Sequence, residues 1–433
     1  MLFWLAVFTY DSYAALKSSG SKKKDSFRFR RQTAYLFLIL INGNLVLFLN
    51  MLEPKIIVVT LIEIIFFTMM ILIFRNAYAD SSKVLVDNMA MLLCIGFMML
   101  TRLSVDRAIK QLTFATIGIV ISAFVPLIIK KVKIFDKLAY LYFALSVVLL
   151  GIVLVKGQTV YGAKLNIAIG GVTFQPSEFV KILFVFFIAS MLYSSVKTIH
   201  VIITTVLAFM NIGILVLSRD LGSAGIFLII FLVMLYAATK NAKYLLGGVG
   251  ISVAGALMSY AMFSHVRVRV SAWLDPLANI KTTGYQVSQS LFAISAGGWF
   301  GTGLCQGMPG KIPLAQSDFI FAAITEEFGA LFALCLILLC VGNLMLTLNI
   351  SLRISNDFYR LIALGLGTCY GAQVFIMIGG VIKFIPSTGV TLPLVSYGGS
   401  SLVSTMLLFA IIQGLYAIEQ DSSDEDEEDE EDE

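Results

Sequence analysis

Charge is what this sequence is short of. Charged residues make up 13% of its 433 positions, about half the share of a soluble domain. Histidine is almost missing, with His200 and His265 the two in the chain. The five cysteines form no C-x-x-C pair; Cys94, Cys335, Cys340 and Cys369 lie in apolar runs and only Cys305 falls in a loop. These shortages exclude a soluble globular enzyme, a disulfide framework and a structural zinc site. A cleavable leader is not evident either: the apolar opening at residues 1–15 is short and lacks a basic start, and is expected to be the end of a membrane helix. No internal repeat of the kind that builds inverted-half transporters stands out.

Apolar residues are abundant, at 58%. Twelve runs of membrane-spanning length lie near 33–51, 56–74, 88–104, 111–129, 137–155, 178–195, 200–217, 222–239, 243–263, 320–347, 361–384 and 399–418. Runs of this length predict an all-α polytopic membrane protein. The net charge of +4 is a cancellation. Residues 419–433 hold 12 of the 27 acids and no base, which leaves +16 on the other 418 residues against 31 Lys and Arg.

The basic clusters set the orientation. The 16–32 segment, with Lys22, Lys23, Lys24, Arg28, Arg30 and Arg31, is placed inside. Counting spans forward puts Lys130, Lys131, Lys133, Lys240, Lys243, Arg353 and Arg360 inside as well. Loops 156–177, 264–319 and 385–398 then face outward, and the acidic tail is cytoplasmic and expected to be disordered. The long loop is patterned, and 284–304 reads as an amphipathic or re-entrant segment carrying Gln286, Gln289 and Ser290.

Ionisable groups at membrane depth are functional candidates, since each costs roughly 2.5–3.5 kcal/mol to insert. Gln175-Pro176-Ser177-Glu178 opens a span, with Lys181 one turn on, and Arg219-Asp220 forms a short outward turn. Both also suit plain structural roles, a capped helix entry with a local ion pair and a solvated turn. In the long loop Arg267 and Arg269 suit a phosphate-bearing partner. Asp275, the sole carboxylate between Asp220 and Asp318, suits a general base. The alternatives there are a headgroup contact and an Asp-Pro turn. Asp318, Glu326 and Glu327 crowd the mouth of a later span; they suit loop organisation or a divalent metal.

Taken in order, these motifs resemble one family, SEDS (shape, elongation, division and sporulation), whose members include RodA, FtsW and SpoVE. The resemblance runs from about Asn88 to Ile418. It is carried by Phe174 to Lys181, Asp220-Leu221-Gly222, Trp273 to Pro276, Gly284-Tyr285-Gln286, Ser317 to Phe321, Glu326-Glu327-x-Gly329 and Leu392 to Ser400. It implies a bundle of about ten transmembrane helices, to which residues 1–87 add two to three N-terminal helices. It further implies a peptidoglycan glycosyltransferase of the bacterial cytoplasmic membrane, polymerising lipid II on the outer side beside a class B penicillin-binding protein. Under that reading Asp275 activates the acceptor and Arg267 and Arg269 hold the diphosphate. Lys164, Gln175, Glu178, Lys181, Asp220, Gln286, Gln289 and Ser396 line the substrate path. Asp318 and Glu326 organise the loop or bind magnesium or manganese. No organic cofactor and no nucleic acid is expected.

The sequence also departs from the family. The family's loop aspartate, four residues beyond Asp275, is Asn279 here, and an amide is no base. Lys164-Leu165-Asn166 replaces Arg-Arg-Trp, and Met377 replaces an asparagine of the penultimate span. Two other readings stay open: a transporter of the lipid-linked precursor, and a non-catalytic scaffold, which Asn279 encourages.

Overall fold

The computed structural model of the chain describes residues 1–17, 22–77, 82–160, 163–169 and 172–432. Its helices are α1 (Leu2–Leu16), α2 (Lys22–Met51), α3 (Lys55–Leu72), α4 (Lys83–Leu103), α5 (Val105–Lys131), α6 (Ala139–Lys156), α7 (Pro176–Ser194) and α8 (Thr198–Leu217). They continue with α9 (Leu221–Thr239), α10 (Ala242–Met262), α11 (Ser264–Leu274), α12 (Tyr285–Gly297), α13 (Ile320–Phe328), α14 (Ala330–Arg353), α15 (Asp357–Val381) and α16 (Gly399–Asp432). Twelve of them are long and apolar enough to cross a membrane among the described residues, one for each apolar run in the sequence. The chain is a multi-pass, all-α membrane protein.

Two compact units are present. The first comprises Met1–Ala123, Ser271–Leu346 and Val374–Leu402; the second comprises Phe124–Val270, Thr347–Gln373 and Val403–Glu433.

In the first unit α1, α2 and α3 pack on α4, and residues Val84 to Thr101 of α4 are all buried. Buried polar side chains fasten these helices. The Ser12 hydroxyl donates to Asn88 Oδ1 at 2.9 Å, and Asn88 Nδ2 donates to Asn343 Oδ1 on α14 at 3.0 Å. Arg75 donates to both carboxylate oxygens of Asp87 at 2.7 and 2.8 Å, and Arg31 pairs with the buried Asp11. In lipid, where apolar contact does not discriminate between neighbours, such polar contacts specify which helices pack together. The described residues before Lys83 therefore pack as part of this unit.

Three features differ from expectation. The tenth span begins at Ala330, not near 320, because Gly329 (φ +84°) ends α13 and a second helix starts beyond it. Loop 156–177 holds a small antiparallel sheet, β1 (Gln158–Val160), β2 (Ala163–Ile169) and β3 (Val172–Phe174), in the order β1-β2-β3. The β-branched Ile167 and Thr173 favour extended pairing, and Gly162, Gly170 and Gly171 lie outside the described residues. The acidic tail, expected to be disordered, continues α16 to Asp432. Extending an existing helix avoids the nucleation cost, and Glu is a good helix former.

Candidate functional site

In the second unit α7 and α9 bring most of the polar candidates together. Pro176 occupies the first turn of α7, where its missing N–H costs nothing, and Glu178 sits beside it near the positive helix end. Lys181, one turn later, donates to Glu178 Oε2 at 2.8 Å and to Gln373 Oε1 of α15 at 2.6 Å. The Ser404 hydroxyl of α16 donates to the same Glu178 oxygen at 3.2 Å. Both charged side chains are buried, so each neutralises what would otherwise be an isolated charge in an apolar bundle.

Asp220 caps α9, with Oδ1 accepting the Ser223 N–H at 3.1 Å. Its other oxygen accepts from the Ser177 hydroxyl at 3.5 Å, and Ser177 in turn accepts from Gln175 Nε2 at 3.2 Å. Burial pushes the Asp220 carboxyl above its usual range, with the Ser223 N–H pulling the other way. The expected residues Gln175, Glu178, Lys181 and Asp220 thus fall in two hydrogen-bonded groups that start from adjacent residues of α7, one through Ser177 and one through Glu178.

The other cations of this unit behave differently. Lys164 Nζ donates to the Leu154 carbonyl at 2.8 Å, in the last turn of α6, a favourable place for a cation at a helix C-terminus. Arg267 and Arg269 lie on α11. Two helical positions are about 200° apart, so the pair does not share a face as alternating residues of an extended loop would. The face that Arg269 does share belongs to His265, four residues back. Burial, and then the charges of Arg269 and Arg219, hold the His265 ring below its usual range.

In the first unit the long loop is tied to the bundle at both ends of α12. The exposed Asp275 accepts the Ala278 N–H through Oδ1 at 3.0 Å. The Asn279 carbonyl accepts from the N–H groups of Thr282 and Gly284, both at 3.0 Å. The resulting turn rests on α12 through Ser288, whose hydroxyl donates to the Pro276 carbonyl at 3.0 Å. Trp273 Nε1 donates to the Lys383 carbonyl at 3.2 Å, and Ser290 donates to the Val381 carbonyl at 3.1 Å. Gln286 and Gln289, half-buried, share one face of α12.

Beyond α12 the chain folds over the end of α13. The N–H groups of Thr302 and Gly303 donate to the carbonyls of Glu326 and Glu327, both at 2.9 Å, and Ala330 N–H donates to the Gly298 carbonyl at 2.9 Å. The segment 284–304, read from the sequence as amphipathic or re-entrant, is the helix α12 followed by this return. Gly301 makes the return possible. Its φ is +84°, and a Cβ there would stand 2.3 Å from the Glu327 carbonyl oxygen. Gly301→Ala is expected to destabilise the protein by at least about 2 kcal/mol from backbone strain and collision together, measured by thermal unfolding in detergent. A melting curve matching the wild type would show that the return relaxes easily.

Ser396 is buried and structural, donating to the Ser317 carbonyl at 2.6 Å and accepting the Leu392 N–H at 2.9 Å. Gln111 supports the same segment: Nε2 donates to the Ser396 carbonyl at 3.0 Å, and Oε1 accepts the Gly398 N–H at 3.2 Å.

Against known proteins, residues 83–421 match the cell cycle protein family FtsW/RodA/SpoVE. The chain belongs to this family. Members with curated names include the peptidoglycan glycosyltransferase RodA of Mycobacterium tuberculosis, 33% identical over 365 residues that cover 77% of each chain. The namesake of Mycobacterium leprae is 33% identical over 361 residues, again 77% of each. Two solved structures share the fold at 24% identity. One is a chain from a peptidoglycan synthase complex, solved for its coordination of polymerization and crosslinking, with TM-score 0.67 over 78% of this chain and 98% of that one. The other is the rod shape determining protein RodA of Thermus thermophilus, with TM-score 0.61 over 79% and 98%.

Within this FtsW/RodA/SpoVE-family bundle, local sequence patterns miss several partners. Gln373 and Ser404 complete the Glu178–Lys181 pair, and Arg102, at the end of α4, pairs with Glu327 at 3.0 Å. A polar residue inside an apolar run was the available signal for all three. Glu326 accepts the Met308 N–H at 2.9 Å, and Asp318 is half-buried in the turn before α13. Among the described residues no three of His, Cys, Asp and Glu gather closely enough to hold a metal. Asp318 and Glu326 alone do not supply the roughly six oxygen ligands that magnesium or manganese takes.

Proposed function

We propose that the protein is a peptidoglycan glycosyltransferase that polymerises lipid II into glycan strands at the outer face of the bacterial cytoplasmic membrane. The observation that carries this is 33% identity across 77% of the chain to proteins named for that activity. The charge pattern supports the side of action: the Lys and Arg clusters orient Asp275 and Asp220 outward. The tail then lies in the cytoplasm, and a class B penicillin-binding protein supplies the crosslinking step.

In this reaction an acceptor sugar hydroxyl attacks the anomeric carbon of a lipid-linked sugar. The hydroxyl loses its proton to a base, and the bond from the anomeric carbon to the diphosphate oxygen breaks. Asp275 is the loop carboxylate suited to take the proton, since it is exposed and bonds the turn through one oxygen. The leaving diphosphate gathers negative charge, which Arg267 or Arg269 neutralises from its own face of α11. Gln175, Glu178, Lys181 and Asp220 form a rigid polar wall, because every one of them is already hydrogen-bonded to a neighbour.

The test is incubation of the purified protein and a class B penicillin-binding protein with labelled lipid II. Glycan strands resolved on a gel are the expected product. Lipid II crossing vesicle membranes without strand formation would instead establish a transporter. Neither product nor crossing would leave the scaffold reading, which Asn279 favours.

A further inference from the structure

The break between α13 and α14 is closed from outside the loop by a residue that no motif marks. Arg102, at the end of α4, reaches across 225 positions of sequence to Glu327, Nε to Oε1 at 3.0 Å, and its terminal nitrogen donates to the Gly307 carbonyl at 3.3 Å. One guanidinium thus grips both α13 and the strap of residues 298–308 laid over it. Glu327 is buried and its Oε2 has no partner among the described residues; the Cys305 N–H also bonds the carboxylate, and Arg102 is the cation paired with it. The same strap begins where α12 ends, and the Asp275 turn is bonded to the opposite end of α12 through Ser288 and the Pro276 carbonyl. The thirteen residues of α12 form a rod of about 20 Å with the turn at one end and the strap at the other.

We propose that Arg102 and Glu327 are positioning residues, a latch that fixes the C-terminal end of α12 and through it the Asp275 turn. Neither touches substrate. The catalytic half of this inference rests on the glycosyltransferase reading; the latch itself does not.

Cys305 provides the reporter. It lies in the strap, half-buried, with φ +70°. Burial raises its thiol pKa, while the nearby charges of Arg102 and Glu327 lower and raise it respectively. The other cysteines are within the apolar helices α4, α14 and α15. A charged, water-soluble maleimide should therefore label Cys305 in the full-length protein in preference to the others, at a rate that rises as the strap opens.

Arg102→Met is expected to speed that labelling by on the order of tenfold, because Glu327 is left buried without a counter-charge. The double variant Arg102→Met, Glu327→Gln removes the stranded charge and should label at a rate between the two. In the lipid II assay with the partner present, Arg102→Met should lower kcat several-fold with KM within about twofold, the signature of a displaced base rather than a lost substrate contact. Labelling at the wild-type rate in Arg102→Met would overturn the latch, as would identical rates in the single and double variants. Faster labelling with unchanged kcat would overturn the link to Asp275. If the wild type makes no polymer, the glycosyltransferase reading fails while the labelling still decides the latch.

Discussion

Asp275→Ala should lower lipid II polymerisation by about 10²–10⁴-fold, the usual weight of a general base. Alanine removes two things at once, a proton acceptor and the cap on the Ala278 N–H. Loss of a comparable cap costs about 1 kcal/mol. Asp275→Asn separates the effects: the amide oxygen still accepts that N–H at the same place, but it does not take a proton from a sugar hydroxyl. If Asp275 is the base, asparagine should retain the melting temperature and lose the activity as alanine does. If asparagine keeps the activity, the carboxylate is a turn former and the proton goes elsewhere. Asn279→Asp is the complementary variant. It places a second carboxylate in the same turn, where the family carries one, and a several-fold rise in product would mean that the natural asparagine limits the rate. No rise, together with an inactive Asp275→Asn, would assign the whole proton transfer to Asp275.

The parts of this protein that were legible in its sequence are those that a local pattern encodes. Apolar runs mark the spans, because a helix in lipid must satisfy its own backbone and present apolar side chains for some 20 residues. Glu178 and Lys181 were legible as a pair because three positions on a helix is contact distance. The break at Gly329 was not. A glycine inside an apolar run looks the same whether the helix continues or stops, and what stops it is the strap from residues 298–303, bonded to the carbonyls of Glu326 and Glu327.

Gln373 and Ser404 lie 192 and 226 positions from the residues they hold, so no local spacing announces them. Arg267 and Arg269 show the opposite failure. Their alternation suggested one phosphate grip, but α11 turns them about 200° apart. The same holds for residues 1–82, whose apolar runs were plain while the polar contacts seating them on α4 were not.

The largest loss of stability is expected for Lys181→Met. Lys181 and Glu178 are both buried, and the lysine holds Glu178 and Gln373 at once. Removing the ammonium strands a buried carboxylate that keeps the Ser404 hydroxyl, at 3.2 Å, as a neutral donor. Breaking a buried pair from one side costs about 3–5 kcal/mol, a large part of the margin that keeps a domain folded. Met is close to lysine in length, so little of the cost comes from a cavity.

Most of it is the unpaired charge, and that has a consequence for the double variant. Glu178→Gln with Lys181→Met leaves no charge to strand, and it should recover more than half of the lost stability in denaturant or thermal unfolding. Activity should not follow. The polar wall would then lack the Lys181 cation and the Glu178 anion, and polymerisation should stay low in a protein that folds well. Recovery of both together would reduce the pair to a structural fastener. A single Lys181→Met variant as stable as the wild type would show that the buried pair contributes nothing to folding.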